Sequence, residues 1–352
     1  MDSTALTGRR HRRRSVLRAS IGVAVLALLA AACGGGGAAG DGEGSLRIAY
    51  QVIPNSAPIV KHEGWLEEEL DVTVDWQQFD SGSDVNRAVA SGAVDVGLAG
   101  STLVANGVAS GLDYEVPWIY DVIGDNEALV ARPDTGISSI KDLVGKKVGT
   151  PLGSTTQYSL VAALKKNGVD PADVEILDMK PPDALAAWER GSIDAAYIWH
   201  PTLQQMIDSG GKVLITSGDL VEEGVLTADL GIVSKSFAND HPDLVAAWLE
   251  AENRAAQMIQ DDSDKAAEIV ADEFGIPQEE AANQMKDLII LTGEEQLTGE
   301  YLGAKGSPGA LAETLYETAV FLNDNEIIGN VPDREAFESV VNPSYLQEAV
   351  GD

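Results

Sequence analysis

The sequence predicts an α/β protein of two lobes joined by a two-strand hinge, and three observations carry that expectation. Short apolar runs bounded by turn residues alternate with longer stretches of helical period, the pattern of strands packed beneath helices. The 320 residues from Cys33 onward exceed what a single core usually covers. After Ser234 the pattern turns almost wholly helical, as expected of a chain that builds a second lobe and then returns to its first.

The N-terminus reads as an export segment, residues 1–32. Arg9, Arg10, Arg12, Arg13, Arg14 and Arg18 form a basic region, and a twelve-residue apolar run follows from Ile21 to Ala32. That run is too short to span about 30 Å of hydrocarbon but suits a signal peptide. Arg13-Arg14 also fits twin-arginine export, with general secretion the alternative. Cys33 is the sole cysteine and directly follows Leu29-Ala30-Ala31-Ala32, which resembles a bacterial lipobox with Leu29 displaced by one position. Lipidation of Cys33 is therefore expected, against the alternative of a free thiol near a cleavage site. The Gly-rich stretch to Gly44 suits a flexible tether, so residues 33–44 anchor the protein to the outer face of the cell membrane without spanning it.

Strands are predicted at 46–51, 72–76, 94–99, 116–122, 128–131, 147–150, 174–179, 193–199, 213–215 and 230–234. Helices are predicted at 57–70, 84–90, 101–110, 155–167, 182–190 and 201–208, with Gly168 as a left-handed stop. Residues 236–352 read as helical, led by a long amphipathic segment over 242–260. Lobe 1 is then 45–130 with 231–352, and lobe 2 is 131–230. The chain crosses near 129–133 and 229–234, and the cleft between lobes is the natural ligand site.

Charge and absent motifs narrow the function. Residues 1–32 hold six of the 24 basic residues and one of the 56 acidic ones, leaving 18 against 55 and a net of −37. Such a surface argues against nucleic acid and against an anionic membrane as partners. It says little about a small ligand, because exposed charge is screened beyond about 8 Å. The sequence holds no HExxH, phosphate loop, GxSxG or CxxC, and its four histidines are scattered. No metal, no cofactor and no catalytic residue is proposed on these grounds, and a monomeric, non-enzymatic protein is expected.

Three predicted strand-to-helix junctions share one chemistry: Phe79-Asp80-Ser81-Gly82-Ser83, Leu98-Ala99-Gly100-Ser101-Thr102 and Pro151-Leu152-Gly153-Ser154-Thr155-Thr156. Small residues let a ligand reach backbone N–H groups, hydroxyls add donors, and the helix dipole favours an anion. Taken singly, each Ser or Thr is equally a helix cap. Glu127 and Asp229 sit at the two predicted crossings, where a buried carboxylate calls for a cation. Trp199 ends a strand and could cover an alkylammonium group or simply fill a core. Trp65, Trp118 and Trp248 are assigned to cores and Trp188 to helix packing, with His200 beside a cap.

At these residues the chain resembles the taurine-binding proteins of taurine ABC importers. The matching stretches include Ala49-Tyr50-Gln51, Val74-Asp75-Trp76, Asn126-Glu127-Ala128-Leu129-Val130, Ser154-Thr155-Thr156 with Tyr158-Ser159-Leu160, Ala186-Ala187-Trp188, and 191–199. The likeness is close over 46–245 and holds only in outline beyond. It implies a type II periplasmic-binding fold that closes over its ligand and delivers it to an ABC permease with its ATPase. It also implies a sulfonate held by hydroxyls and amides, and an ammonium held by acidic residues. Carried over by position, the site residues are Gln51, Ser101, Glu127, Ser154, Thr155, Thr156, Trp199 and Asp229. Gly153, Gln157 and His200 depart from the family pattern and bear on the length of ligand accepted. Two alternatives stay open: a receptor for another small anion or zwitterion, such as an alkanesulfonate or betaine, and an enzyme on the same fold. The enzymes of that fold, pyrimidine synthases, resemble a cysteine-clustered cytosolic pattern, unlike this chain.

Overall fold

The structure, a computed structural model, describes residues 45–70, 72–221 and 224–351. The predicted signal, Cys33 and the tether lie outside the described residues.

Among the described residues, eleven strands form two main sheets. In chain order they are β1 (Ser45–Tyr50), β2 (Thr73–Gln78), β3 (Val96–Gly100), β4 (Tyr114–Ile123), β5 (Glu127–Ala131), β6 (Lys147–Thr150), β7 (Glu175–Asp178), β8 (Ala195–Trp199), β9 (Lys212–Thr216), β10 (Ala228–Ser234) and β11 (Leu288–Ile289). The first sheet runs β11-β4-β10-β3-β1-β2 and the second β7-β6-β8-β5-β9. Apart from the edge strand β11 the two orders are the same, although no repeat is visible in the sequence. In each sheet three parallel strands are followed by one antiparallel strand delivered from the other half of the chain: β10 between β3 and β4, and β5 between β8 and β9. The α/β fold class and its two lobes are as the sequence indicated.

The crossings differ from expectation. β4 belongs to the first sheet and β5 to the second, so the chain passes over at 124–126, not at 129–133. The return lies between Val221 and Ala228, before β10 rather than within it. Gly124 marks the first crossing because a Cβ there would stand 2.5 Å from the carbonyl oxygen of Asp287. Its N–H donates to Asn126 Oδ1 at 3.1 Å, and the Asn126 N–H donates to that same carbonyl at 3.3 Å.

Burial explains the apolar runs. Along β5, Ala128 and Val130 face Trp188, Ile198 and Met206, while Leu129 and Ala131 face Leu160, Leu164 and Tyr197. A strand with core on both faces shows no polar alternation. Trp118 and Trp248 are fully buried in the first lobe, as expected. The predicted helix over 57–70 is two helices, Ser56–Glu63 and Trp65–Leu70, because Gly64 adopts φ 65° and caps the first through Val60. The C-terminal part is helical apart from β11, which extends β4, and a ladder pairing Gly303–Ala304 with Ser307–Pro308.

The lobes touch beside their cleft. Lys180 Nζ reaches Asp84 Oδ2 at 2.5 Å, and the rings of Tyr158 and Phe321 meet edge to face at 4.4 Å.

Candidate ligand-binding cleft

A narrow, partly open cleft lies between the two sheets. Gln51, Glu127, Ser154, Thr155, Trp199 and Asp229, all expected from the sequence, line it together. Ile53, Gly82, Gly100, Leu103 and Asn126 complete the lining and were not singled out as site residues. Ser101 and Thr156 do not line it. The Ser101 hydroxyl accepts the Ala228 N–H at 3.3 Å, tying a helix start to β10. The Thr156 hydroxyl is buried between Thr150 Oγ1 at 2.8 Å and Ser154 Oγ at 2.7 Å.

Three helix starts converge on this space. Gly82 opens Gly82–Ala90, Gly100 caps Ser101–Ala109, and Ser154 caps Thr155–Lys166. At the third, the Ser154 hydroxyl donates to Pro151 O at 2.6 Å and accepts the Gln157 N–H at 3.2 Å, so it acts as a cap. The Tyr158 N–H is taken by Ser154 O. That leaves the N–H groups of Thr155 and Thr156, in the first turn, without intrahelical partners. These two amides, with the positive end of the helix dipole behind them, favour an anion. Gly100 is small for a reason of closure: a Cβ there would lie 2.8 Å from Thr155 Cγ2 on the other lobe.

The opposite character lies alongside. Glu127 opens β5 in the second lobe, and Asp229 lies on β10 in the first. Glu127 accepts from Thr155 Oγ1 at 2.6 Å and from Ser217 Oγ at 3.3 Å. Burial, and next the Asp229 charge, push its carboxyl up to about 8. Burial pushes Asp229 up to about 7, and among the described residues it accepts no hydrogen bond. In register with Asp229 on β4 is a third buried acid, Asp121, which the sequence reading missed. Its Oδ2 accepts from Asn55 Nδ2 at 3.1 Å, while its Oδ1 has no partner. Burial, then repulsion from Asp229, raises its pKa well above the carboxylate range. The available signal was a lone acid inside the apolar run of β4.

No lysine or arginine pairs with any of these three acids among the described residues. Nor is any group of three His, Cys, Asp or Glu there arranged to hold a metal ion. Buried carboxylates without a protein cation are costly when ionised. A ligand ammonium would relieve that cost. Trp199, half-buried, lies across from Glu127 in the β5–β8 register and packs against the cores of both lobes, so its indole edges the cleft and fills space at once. Gln51 Nε2 donates to Leu98 O at 3.2 Å, which fixes the amide at the cleft wall. His200 Nε2 meets Asp287 Oδ2 at 3.2 Å beside the crossing and is not part of the lining.

Comparison with known proteins places this architecture. Residues 54–266 match the family model described as NMT1/THI5 like. The taurine-binding periplasmic protein of Escherichia coli (strain K12) is 35% identical over 82% of this chain and 88% of its own. The chain belongs to the NMT1/THI5-like family. Another relative, a Bacillus subtilis (strain 168) protein named for binding aliphatic sulfonates, is 32% identical over 75% of this chain and 80% of its own. Among solved structures, the alkanesulfonate-binding protein of Xanthomonas axonopodis pv. citri, bound to MOPS, shares the fold. It aligns with a TM-score of 0.68 at 20% identity, over 82% of this chain and 95% of that one. These proteins are binding proteins by name, and this chain shares the two-lobed plan of the solved one.

Proposed function

We propose that the chain is the extracytoplasmic solute-binding component of an ABC importer and that its ligand is taurine or a close amino-sulfonate. One observation carries the reading: the cleft sets the helix start at Ser154 and Thr155, whose first-turn N–H groups have no intrahelical partner, beside two buried carboxylates that no protein cation neutralises. A short zwitterion fits that pair of requirements. The sulfonate meets the amides, the ammonium meets Glu127 and Asp229, and Gln51 and Trp199 bound the methylenes. The names of the two relatives support the same ligand class.

Closure follows from the same geometry. Glu127 belongs to the second lobe and Asp229 to the first, so in their ionised forms they repel across the cleft. An ammonium between them replaces repulsion by attraction from both sides, which favours the closed state over the open one. The acids are thus both recognition groups and the latch.

The same reading assigns residues 1–32 to an export signal, Cys33 to lipidation and 33–44 to a tether. The protein then works as a monomer on the outer face of the cell membrane and passes its cargo to a permease with its ATPase. Calorimetric titration with taurine tests the core of the reading, with one saturable site per chain expected. No binding across a series of amino-sulfonates would end it.

A further inference from the structure

Asp121 is an acid that the recognition of a zwitterion leaves without a role. It lies on β4, fully buried, and does not line the cleft. Its partner in the β10–β4 register is Asp229, so the two side chains leave neighbouring strands on one face of the sheet. Like charges so placed repel, and burial makes the repulsion more costly. Asn55 closes one side of Asp121. Its Oδ1 accepts the Ala57 N–H at 3.2 Å as cap of the helix Ser56–Glu63, which turns its Nδ2 toward Asp121 Oδ2 at 3.1 Å. The other oxygen, Oδ1, has no partner. Across the pair, Asp229 accepts no hydrogen bond among the described residues. On its far side Asp229 meets Gly100 of β3, where a Cβ would stand 3.6 Å from its Oδ1, so no side chain props it from there. One proton on Asp121 answers both needs: it neutralises one acid and supplies a donor to the other. The charged groups bearing on Asp121 are Asp229 of β10 and Glu127 of β5, and no lysine or arginine pairs with it among the described residues. Glu252, also buried in this lobe, meets Tyr120 and Trp248 instead. Burial, and next the Asp229 charge, push the Asp121 carboxyl well above its ordinary range, in keeping with a proton retained there.

We propose that Asp121 is a positioning residue: it keeps its proton when ligand is bound and donates a hydrogen bond to Asp229, holding that carboxylate toward the ligand nitrogen. The inference rests on the reading above and extends it by fixing the charge that the ligand meets. Three buried acids then present two negative charges, one from each lobe, and Asp229 carries its charge with a donor behind it. An ionised Asp121 would add a third charge that one ammonium could not offset. Two substitutions separate these cases. Asp121→Asn keeps both bonds, because its oxygen can accept from Asn55 and its amide can donate to Asp229. Asp121→Leu fills a similar space and keeps neither.

The test is calorimetric titration of the protein and both variants with taurine from about pH 6.5 to 9, with melting temperatures to confirm folding. Asp121→Leu should weaken taurine about tenfold near neutral pH, the loss of one hydrogen bond to a charged group. Without that donor the ionised form of Asp229 is disfavoured, so the rise of affinity with pH should move to higher pH. Asp121→Asn should recover most of the affinity and restore the pH profile. Infrared spectra give a readout independent of affinity: the taurine-bound protein at about pH 8 should show the carbonyl band of a protonated carboxylic acid, which Asp121→Asn should lack. A loss of about thirty-fold in Asp121→Asn, like that expected of Asp229→Asn, would mean that Asp121 is ionised and meets the ligand. That result would overturn the inference and leave the taurine reading intact. Absence of the band would do the same, as would an Asp121→Leu variant with unchanged affinity and pH profile. Should Asp121→Leu fail to fold, the band and Asp121→Asn decide the matter. No taurine binding to the unmodified protein would remove both the inference and the reading beneath it.

Discussion

Two helices of the second lobe start beside the same cleft and offer it opposite things. Thr155–Lys166 follows β6 and begins with residues that keep their N–H groups; Pro181–Glu189 follows the neighbouring strand β7 and begins with two that have none. The scaffold, strand direction and helix dipole are alike. Their first turns differ: one keeps the N–H groups an anion could use, and the other presents two proline rings. On the proposed reading, a few first-turn residues set the ligand class of this chain, with the acids of β5 and β10 choosing the charge at the other end.

That contrast can be broken from either side, and the acids should give the largest effects. Asp229→Asn removes one partner of a buried charge pair, which costs about 2–5 kcal/mol, so taurine affinity should fall about thirty-fold or more. Glu127→Gln should do the same while keeping an amide oxygen that can accept from the Thr155 hydroxyl. If both variants keep wild-type affinity by calorimetry, the acids do not meet the ligand.

Thr155→Pro should come next. It makes the anion-binding start resemble the apolar one by deleting the N–H, and it also removes the hydroxyl that donates to Glu127. Proline is tolerated at the first helical position, and Ser154 before it is already extended at φ −78° and ψ 170°. Losing one charge-assisted hydrogen bond, about 1.5 kcal/mol, should weaken taurine about tenfold with little change in melting temperature. An unchanged affinity would remove this amide from the site.

The smallest effect is on pH. Burial holds Glu127 near 8 and Asp229 near 7 in the free protein, whereas an ammonium favours their ionised forms. Binding should therefore release protons, and affinity should rise severalfold from pH 7 to 8.5. Calorimetry in buffers of different ionisation enthalpy measures that release. Stability runs the other way. Both folded values lie above the ordinary carboxylate range, so the free fold binds more protons than the unfolded chain. The stability this confers is present at low pH and is lost as pH rises through about 7 to 8. The melting temperature of the free protein should fall over that window, and saturating taurine should flatten the fall.

Much of this was legible in the residues. The strand Lys147–Thr150 was read at its observed bounds, and Glu127, Thr155 and Asp229 were singled out from their places beside predicted strands and helices. The crossings were misplaced by a few residues because β5 is apolar in either lobe. Which sheet it joins is set by β8 and β9, more than sixty residues later in the chain. Ser154 and Thr156 show why hydroxyls are ambiguous: the atoms that could hold an oxyanion also cap a helix, and here they bond to their own lobe. Asp121 escaped notice because it matters through a partner remote in sequence, Asp229, and Gly100, noticed as a small residue at a junction, has its closure role through Thr155 on the other lobe.

The account rests on the acids demanding a cation, and the most direct measurement compares taurine with ethanesulfonate, which has the same anionic group and lacks the amine. Calorimetric titration of the unmodified protein should show ethanesulfonate about thirty-fold weaker or worse. Equal affinities would mean that Glu127 and Asp229 stay protonated beside the ligand, and the proposed recognition of a zwitterion would be wrong.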